Sequence, residues 1–397
     1  MEFDQLIAPL RRQEFLGTYW GKSFIHISGQ KGRFSHLLTW DELSAILEQH
    51  RLTPPRLKLS QNGRAVDADH YMTPAKFGVP RLDSGKLALC LAEGASLILD
   101  DAQELAPRVG ALCQVMEDVL HTDAYANLYA SWHGQNAFDL HWDPQDSIVV
   151  QLSGRKRWKI YEPTRLSPLQ DDIEAAPRPT GQPVWDGTLE DGDAVHIPRG
   201  WWHIAFPDGA PSLHLTIGTT PPHGLNFLGW VIGKLRSQAG VRANLPSVSD
   251  AEGQVAQLRT LRELVSDAMG DSAIADFLRE WESNIRPHPY IRLPEAPYEQ
   301  RAAITGKSKI RLSAPHSLYL ARNGENFSFN ANGISWVIPE SLVPALEMLR
   351  NGRTIPVAQL CAKLPDQAAN ASLLKSLGIL ARAGIVAVES ENKEDGS

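Results

Sequence analysis

The 397-residue chain is poor in cysteine: Cys90, Cys113 and Cys361 are its only three. Thiols so few and so scattered exclude a disulfide framework and a cysteine-based zinc site, and a reducing, cytoplasmic setting is expected. Long apolar runs are missing as well, since no stretch approaches the roughly 18 residues that a membrane span needs. The start, Met1-Glu2-Phe3-Asp4-Gln5, has no basic region followed by an apolar one, so neither secretion nor membrane insertion is expected. Nor is there an excess of positive charge: 39 Lys+Arg stand against 46 Asp+Glu, a formal net charge of −7. Such a balance disfavours general binding to nucleic acid. With 43% hydrophobic and 21% charged residues the chain is neither disordered nor a coiled coil, and its length predicts two or three folding units.

Tryptophan is in surplus. There are 11 Trp, as many as Phe and more than the 8 Tyr. Trp132, Trp142, Trp158, Trp185, Trp201 and Trp202 lie in one stretch. In that stretch short strands alternate with turns: Ala126 to Ser131, Ser147 to Leu152, Arg157 to Tyr161, Ala194 to Ile197 and Leu213 to Ile217. Strands of this length and spacing predict an antiparallel barrel or jelly roll. Ahead of them, helices are expected from Thr39 to His50, where Thr39 caps an acidic first turn, and from Pro107 to Leu120. The segment Gln170 to Gly187, rich in proline and acids, reads as a surface loop.

Beyond Pro221-Pro222 the apolar period becomes helical, with stripes at Leu225, Leu228, Val231, Ile232 and Leu235 and at Val255, Leu258, Leu261, Leu264 and Val265. A proline-rich linker, Pro287 to Pro297, precedes a compact α+β unit ending at Ile385-Val386-Ala387-Val388 and a polar tail. The expected division is a catalytic domain over 1–222, a helical segment over 223–286, a C-terminal domain over 287–390 and a frayed tail over 391–397.

The chemistry is concentrated in the barrel stretch. His141-Trp142-Asp143 puts two ligand-type side chains on one strand face, and His203 follows in Ile197-Pro198-Arg199-Gly200-Trp201-Trp202-His203. Two histidines and a carboxylate bind a divalent metal through one face and leave the opposite positions open, as non-haem Fe(II) oxygen chemistry requires. The spacing alone is weak, because His121-Thr122-Asp123 repeats it at a helix end, where it reads as capping. The residues also admit a polar barrel rim or a non-catalytic metal-binding cupin.

Taken with Gln151-Leu152-Ser153-Gly154-Arg155-Lys156-Arg157-Trp158 and Asp193, these motifs resemble the JmjC-type 2-oxoglutarate oxygenases, and more narrowly their ribosomal oxygenase branch. The resemblance covers about residues 95 to 220. It implies a mainly β fold with α, namely a double-stranded β-helix of the jelly-roll or cupin kind, then a helical dimerisation segment and a winged-helix-like C-terminal domain. It makes His141, Asp143 and His203 the Fe(II) ligands, with 2-oxoglutarate and O2 as the other reactants. Lys156 takes the place of the cation for the distal carboxylate of 2-oxoglutarate, with an exposed turn lysine between Arg155 and Arg157 as the alternative reading. Thr216 matches a hydroxyl position in the same pocket, and Asn127 and Tyr129 match positions on its substrate side. Phe138 stands where related oxygenases often carry a small or hydroxylated residue. His26, His196 and His214 read as core histidines; His214, two residues from Thr216, faces the same interior, its role being open.

The expected activity is hydroxylation of a protein or peptide side chain, most simply on a ribosomal protein, by a homodimer that binds neither DNA nor membrane. The alternatives are hydroxylation of a ribosomally made natural-product precursor peptide and a metal-binding cupin module without turnover. The loop Gln170 to Gly187 and the tryptophans near the iron motif are candidates for gripping a peptide and excluding water.

Overall fold

The computed structural model describes residues 1–74, 78–133, 136–172, 176–285, 304–313, 318, 320–331, 334–351 and 354–389. They form two compact units, Met1–Pro221 and Pro222–Ser397. The expected linker, Pro287 to Pro297, and the tail 391–397 lie outside the described residues.

The first unit opens with helices α1 (Phe3–Ile7) and α2 (Arg12–Glu14), strand β1 (Ile25–Ile27) and helix α3 (Trp40–Gln49). At the start of α3, Thr39 Oγ1 accepts from the Glu42 N–H while the Glu42 carboxylate accepts from the Thr39 N–H, a reciprocal cap that fixes the helix start. Strands β2 (Leu57–Gln61) and β3 (Arg64–Ala65), the small hairpin β4 (Met72–Thr73) and β5 (Arg81–Leu82), helix α4 (Ser84–Ala92) and strand β6 (Ser96–Leu99) follow. Helix α5 (Pro107–Leu120) has proline where no intrahelical N–H is needed, and stops at His121, which adopts the left-handed conformation. His121 is thus a helix cap, and nothing places it with the second ligand-type triplet.

Seven strands complete the unit: β7 (Ala124–Ser131), β8 (Asp146–Ser153), β9 (Lys156–Tyr161), β10 (Trp185–Leu189), β11 (Ala194–Ile197), β12 (Trp202–Pro207) and β13 (Ser212–Thr219). They build an eight-stranded sheet in the order β1-β11-β8-β13-β7-β6-β2-β3 and a three-stranded sheet in the order β10-β9-β12, antiparallel throughout. One face of the large sheet is sealed by a core that includes Leu6, Ile7, Leu97, Leu99, Val109, Met116, Leu128 and Leu215. Burying each such side chain contributes about 1.5–3 kcal/mol, which holds the sheet as a rigid wall. A second cluster, with Val149, Trp158, Ile160, Leu189 and Val195, joins the two sheets.

The segment expected to be loop as far as Gly187 ends instead in a strand. Trp185, Asp186 and Gly187 of β10 pair with Ile160, Lys159 and Trp158 of β9. Asp186 and Gly187 read as turn residues in isolation; tertiary pairing overrides them, and Trp185 packs its ring 5.5 Å from that of Phe24.

The second unit begins with helices α6 (Gly224–Leu235), α7 (Ala239–Arg242), α8 (Ala251–Ala268) and α9 (Ala273–Ser283). Much of their apolar stripe is exposed: Leu225, Leu228 and Ile232 on α6 and Val255 and Leu258 on α8 are open to solvent, and α8 buries no residue. The remainder comprises strands β14 (Lys309–Leu312), β15 (Ala321–Asn323), β16 (Asn326–Ala331) and β17 (Ile334–Pro339), helix α10 (Val343–Glu347), strand β18 (Ile355–Pro356), helices α11 (Val357–Cys361) and α12 (Gln367–Arg382) and strand β19 (Val386–Glu389). Two three-stranded sheets, β18-β14-β19 and β15-β16-β17, share a core that includes Leu312, Leu346, Leu360, Leu373 and Leu377. Residues Glu340 to Asn351 form two 3-10 turns around the five-residue α10, which has a proline in its first turn. Among the described residues no helix is long and apolar enough to cross a membrane.

Candidate active site

Strand alternation builds the site's inner wall. On β7, Ala126, Leu128 and Ala130 face the core, so Tyr125, Asn127 and Tyr129 face the other way. On β13, Thr216 stands opposite Asn127 and His214 opposite Tyr129. With Val149 of β8, Lys156 and Trp158 of β9 and Ala205 of β12, these side chains line a cavity of about 230 Å³. His141, Asp143 and His203 line it too, so the structure brings the expected metal ligands and Lys156, Thr216, Asn127 and Tyr129 into one chamber.

The metal-type residues meet through an isolated antiparallel bridge. His141 and His203 exchange backbone hydrogen bonds, N–H to carbonyl, of 3.1 and 2.7 Å, and their ring centroids lie 4.3 Å apart. The Asp143 carboxylate stands 4.0 Å from His141 Nε2 and 3.5 Å from His203 Nε2. One ligand atom from each of the three lies within 4.8 Å of the others. The Asp139 carbonyl lies 2.7 Å from His141 Nδ1 and the Trp201 carbonyl 3.1 Å from His203 Nδ1. A carbonyl can only accept, so each Nδ1 carries the proton and each Nε2 presents its lone pair towards the carboxylate. Burial and the adjacent His141 push the His203 ring down to about 4, which keeps it neutral, as a metal ligand must be. The donor set and its convergence fit a divalent transition metal held from one side, with its remaining positions opening on the cavity.

The turn before β12 carries His203 into place. Gly200 donates its N–H to the Asp143 carbonyl at 3.0 Å, and Arg199 donates its N–H to Asp146 Oδ1 at 3.0 Å. Gly200 has φ +83°, and a Cβ there would lie 2.5 Å from the Pro168 ring, so glycine is required.

Lys156 is a buried residue between two exposed ones. Arg155 pairs with Asp208 at 2.7 Å and Arg157 grips Asp186 with two bonds of 2.8 and 2.9 Å, both at the surface, whereas Lys156 is 2% exposed and lines the cavity. Its reading as a turn lysine is therefore set aside. Desolvation pushes the amine down to about 8, and among the described residues no carboxylate pairs with it. A buried ammonium without a counter-charge is costly, and an anionic ligand would relieve it.

The other polar residues keep their protons. Tyr125 is pushed up to about 12 by burial and then by Asp143, and Tyr129 is driven up by the same causes. Asn127 Oδ1 accepts from the Asp101 N–H at 3.3 Å, which ties β7 to the turn after β6. Phe138 lines the cavity with its ring 5.6 Å from that of His141 and 6.2 Å from that of Tyr129.

The tryptophan cluster departs from expectation. Trp158 is the one tryptophan among the described residues lining the cavity. Trp132 packs on Trp40 at 5.6 Å, the Trp202 indole donates to Thr164 Oγ1 at 2.9 Å, and Trp201 lies 6.4 Å from Phe24. These rings brace the wall and do not face the reacting volume. Of the three histidines read as core residues, His196 is buried between Phe15 and Trp20 and His26 meets Asp193 at 3.1 Å, while His214 lines the cavity on the interior face it was expected to share with Thr216. Tyr125, Gln145, Ser147 and Val149 also line it and were not foreseen. Parity from Asn127 would have found Tyr125.

Residues 99–227 match the model of the JmjC domain family. Over 230 residues the chain is 27% identical to the bifunctional lysine-specific demethylase and histidyl-hydroxylase NO66 of Drosophila pseudoobscura pseudoobscura, covering 54% of this chain and 22% of that protein. The protein of the same description from Dictyostelium discoideum is 26% identical over 275 residues, covering 67% of this chain and 51% of that one. The chain thus spans about a fifth to a half of the length of these curated relatives. Among solved structures, the Escherichia coli ribosomal oxygenase YcfD in complex with cobalt and succinic acid superposes with a TM-score of 0.64 at 19% identity, over 96% of this chain and 99% of that one. The same enzyme with cobalt and 2-oxoglutarate gives 0.62 at 18% over the same shares. Residues 99–227 thus carry a likeness to the JmjC domain, and the chain shares the fold of this solved ribosomal oxygenase.

Proposed function

We propose that the chain is an Fe(II)- and 2-oxoglutarate-dependent hydroxylase of a protein or peptide side chain, acting on a ribosomal protein. One observation carries the reading. His141, Asp143 and His203 converge at one wall of a cavity that also holds Lys156, a buried amine without a carboxylate partner.

Fe(II) with 2-oxoglutarate and O2 supplies the oxidising power for hydroxylating an unactivated C–H bond, with 2-oxoglutarate consumed to succinate and CO2. The chain's own residues do the rest. His141 and His203, locked by the Asp139 and Trp201 carbonyls, hold the metal through Nε2, and Asp143 offsets its charge. Lys156 binds the distal carboxylate of the cosubstrate, and Thr216, Asn127 and Tyr129 offer hydrogen bonds along its length. Trp158, Val149 and Ile197 keep that end of the chamber dry, which strengthens every charge interaction inside it.

The names of the relatives, histidyl-hydroxylase and ribosomal oxygenase, support a protein substrate. The exposed stripe of α6 and α8 supports a homodimer through these helices. We read residues 287–390 as a winged-helix-like domain that does not bind DNA, because from residue 288 to 397 the 12 Lys+Arg nearly balance the 10 Asp+Glu with no dense basic stripe, and the setting as cytoplasmic. The test is mass spectrometry of ribosomal proteins from cells with and without the intact chain. One added oxygen on a ribosomal protein, absent with His141→Ala, is expected; identical spectra would contradict the reading.

A further inference from the structure

His214 is a cavity residue to which neither the metal cluster nor the motifs give a role. It is 2% exposed, on β13, and stands in register between Tyr129 of β7 and Gln151 of β8. Its ring lies flat on Tyr129, centroids 4.8 Å apart and 6° between planes, with the Trp158 ring edge-on at 5.6 Å. Two aromatic neighbours hold the imidazole in one orientation.

The polar groups beside it are unequal. Gln151 has its amide nitrogen committed to the Ser153 carbonyl, Ser212 Oγ and the Leu213 carbonyl, which turns that group away from the cavity. His214 Nδ1 is buried without a hydrogen-bond partner. A buried imidazole with an unanswered nitrogen, next to an ammonium that has no carboxylate partner among the described residues, is incomplete without a ligand. The Lys156 charge adds to burial in holding the His214 ring neutral. A neutral imidazole carries one N–H and can donate it.

We propose that His214 binds the distal carboxylate of a 2-oxo dicarboxylate beside Lys156 and fixes its orientation. The proposal rests on the cosubstrate reading above and goes beyond it by assigning the residue that discriminates a dicarboxylate from a 2-oxo monocarboxylate. Lysine offers a mobile point charge that attracts the carboxylate without setting its rotation. The clamped ring supplies a hydrogen bond of fixed direction. A carboxylate with up to four acceptor positions can receive both donors at once.

The test uses the full chain loaded with Co(II) under anaerobic conditions, with the affinities for 2-oxoglutarate and for 2-oxobutyrate, which lacks the distal carboxylate, measured by calorimetry. His214→Phe preserves the stack on Tyr129 and removes both nitrogens; His214→Asn restores a side-chain donor. The Phe variant should bind 2-oxoglutarate about tenfold to a hundredfold more weakly, the range for a lost hydrogen bond to a charged group. Its affinity for 2-oxobutyrate and for Co(II) should be unchanged, and the Asn variant should recover part of the loss. Unchanged 2-oxoglutarate affinity in the Phe variant, or an equal loss for both acids, would overturn the proposal. Wild-type protein that binds Co(II) but neither acid would overturn the cosubstrate reading itself, and this assignment with it.

Discussion

Lys156→Met exchanges a buried amine for an apolar chain of similar length, and it should stabilise the protein while disabling it. Burial lowers the Lys156 amine from its ordinary 10.5 to about 8, with desolvation as the cause. At about 1.36 kcal/mol per pKa unit, keeping that ammonium charged at neutral pH costs the ligand-free fold about 3 kcal/mol. The sign follows from proton counting. Between pH 8 and 10.5 the unfolded chain holds a proton that the folded chain has lost, so the lysine's contribution to stability rises with pH across that window. Below pH 8 both states are charged and the full penalty applies. Met carries no such penalty, so the variant should melt roughly 6–12 °C higher at pH 7, taking about 2–4 °C per kcal/mol for a unit of this size. Thermal melts of the metal-loaded protein across pH 7 to 10.5 read both effects. Addition of 2-oxoglutarate should raise the wild-type midpoint and leave that of Lys156→Met unmoved, since the buried carboxylate would lack its charge partner. A variant less stable than wild type at pH 7, yet still stabilised by 2-oxoglutarate, would refute the reasoning.

Acid should weaken the first unit through His196, whose burial outweighs two carbonyl contacts and lowers the ring from 6.5 to about 4. The contribution, about 3 kcal/mol, is present above pH 6.5 and lost as pH falls towards 4, so melts of wild type and His196→Gln should converge in acid. Gly154→Ala should destabilise by more than about 2 kcal/mol in urea unfolding, because φ is +68° and the new Cβ would lie 1.9 Å from the Pro211 carbonyl oxygen, at the turn just before Lys156. Ile232→Glu, placed on the exposed α6 stripe, should yield monomers in sedimentation velocity with the 2-oxoglutarate affinity retained.

The legible parts of the molecule were those governed by short-range periodicity. Helix α5 runs from Pro107 to Leu120 as its stripe and first-turn proline predict, and β11 spans Ala194–Ile197 as expected. Two-residue alternation placed His141 with Asp143, but no local rule could join them to His203; that needed the antiparallel bridge. Lys156 was ambiguous because it lies at the first position of β9 between two arginines, where a shift of one residue reverses which side chain is buried. Strand β10 was hidden because Asp186 and Gly187 resemble a turn and its partner is distant in sequence. The tryptophans misled for a related reason: sequence proximity to a ligand does not say which face a ring occupies, and Trp158 alone among them turns inward to the cavity.

His141, Asp143 and His203 are proposed to form one metal site that drives turnover of 2-oxoglutarate. Its most direct test is succinate formation by the purified chain given Fe(II), 2-oxoglutarate and O2, with bound metal counted in the same samples. One Fe(II) per wild-type chain with succinate produced is expected, and neither in His141→Ala or Asp143→Ala. Metal binding and succinate formation that survive either substitution would contradict it.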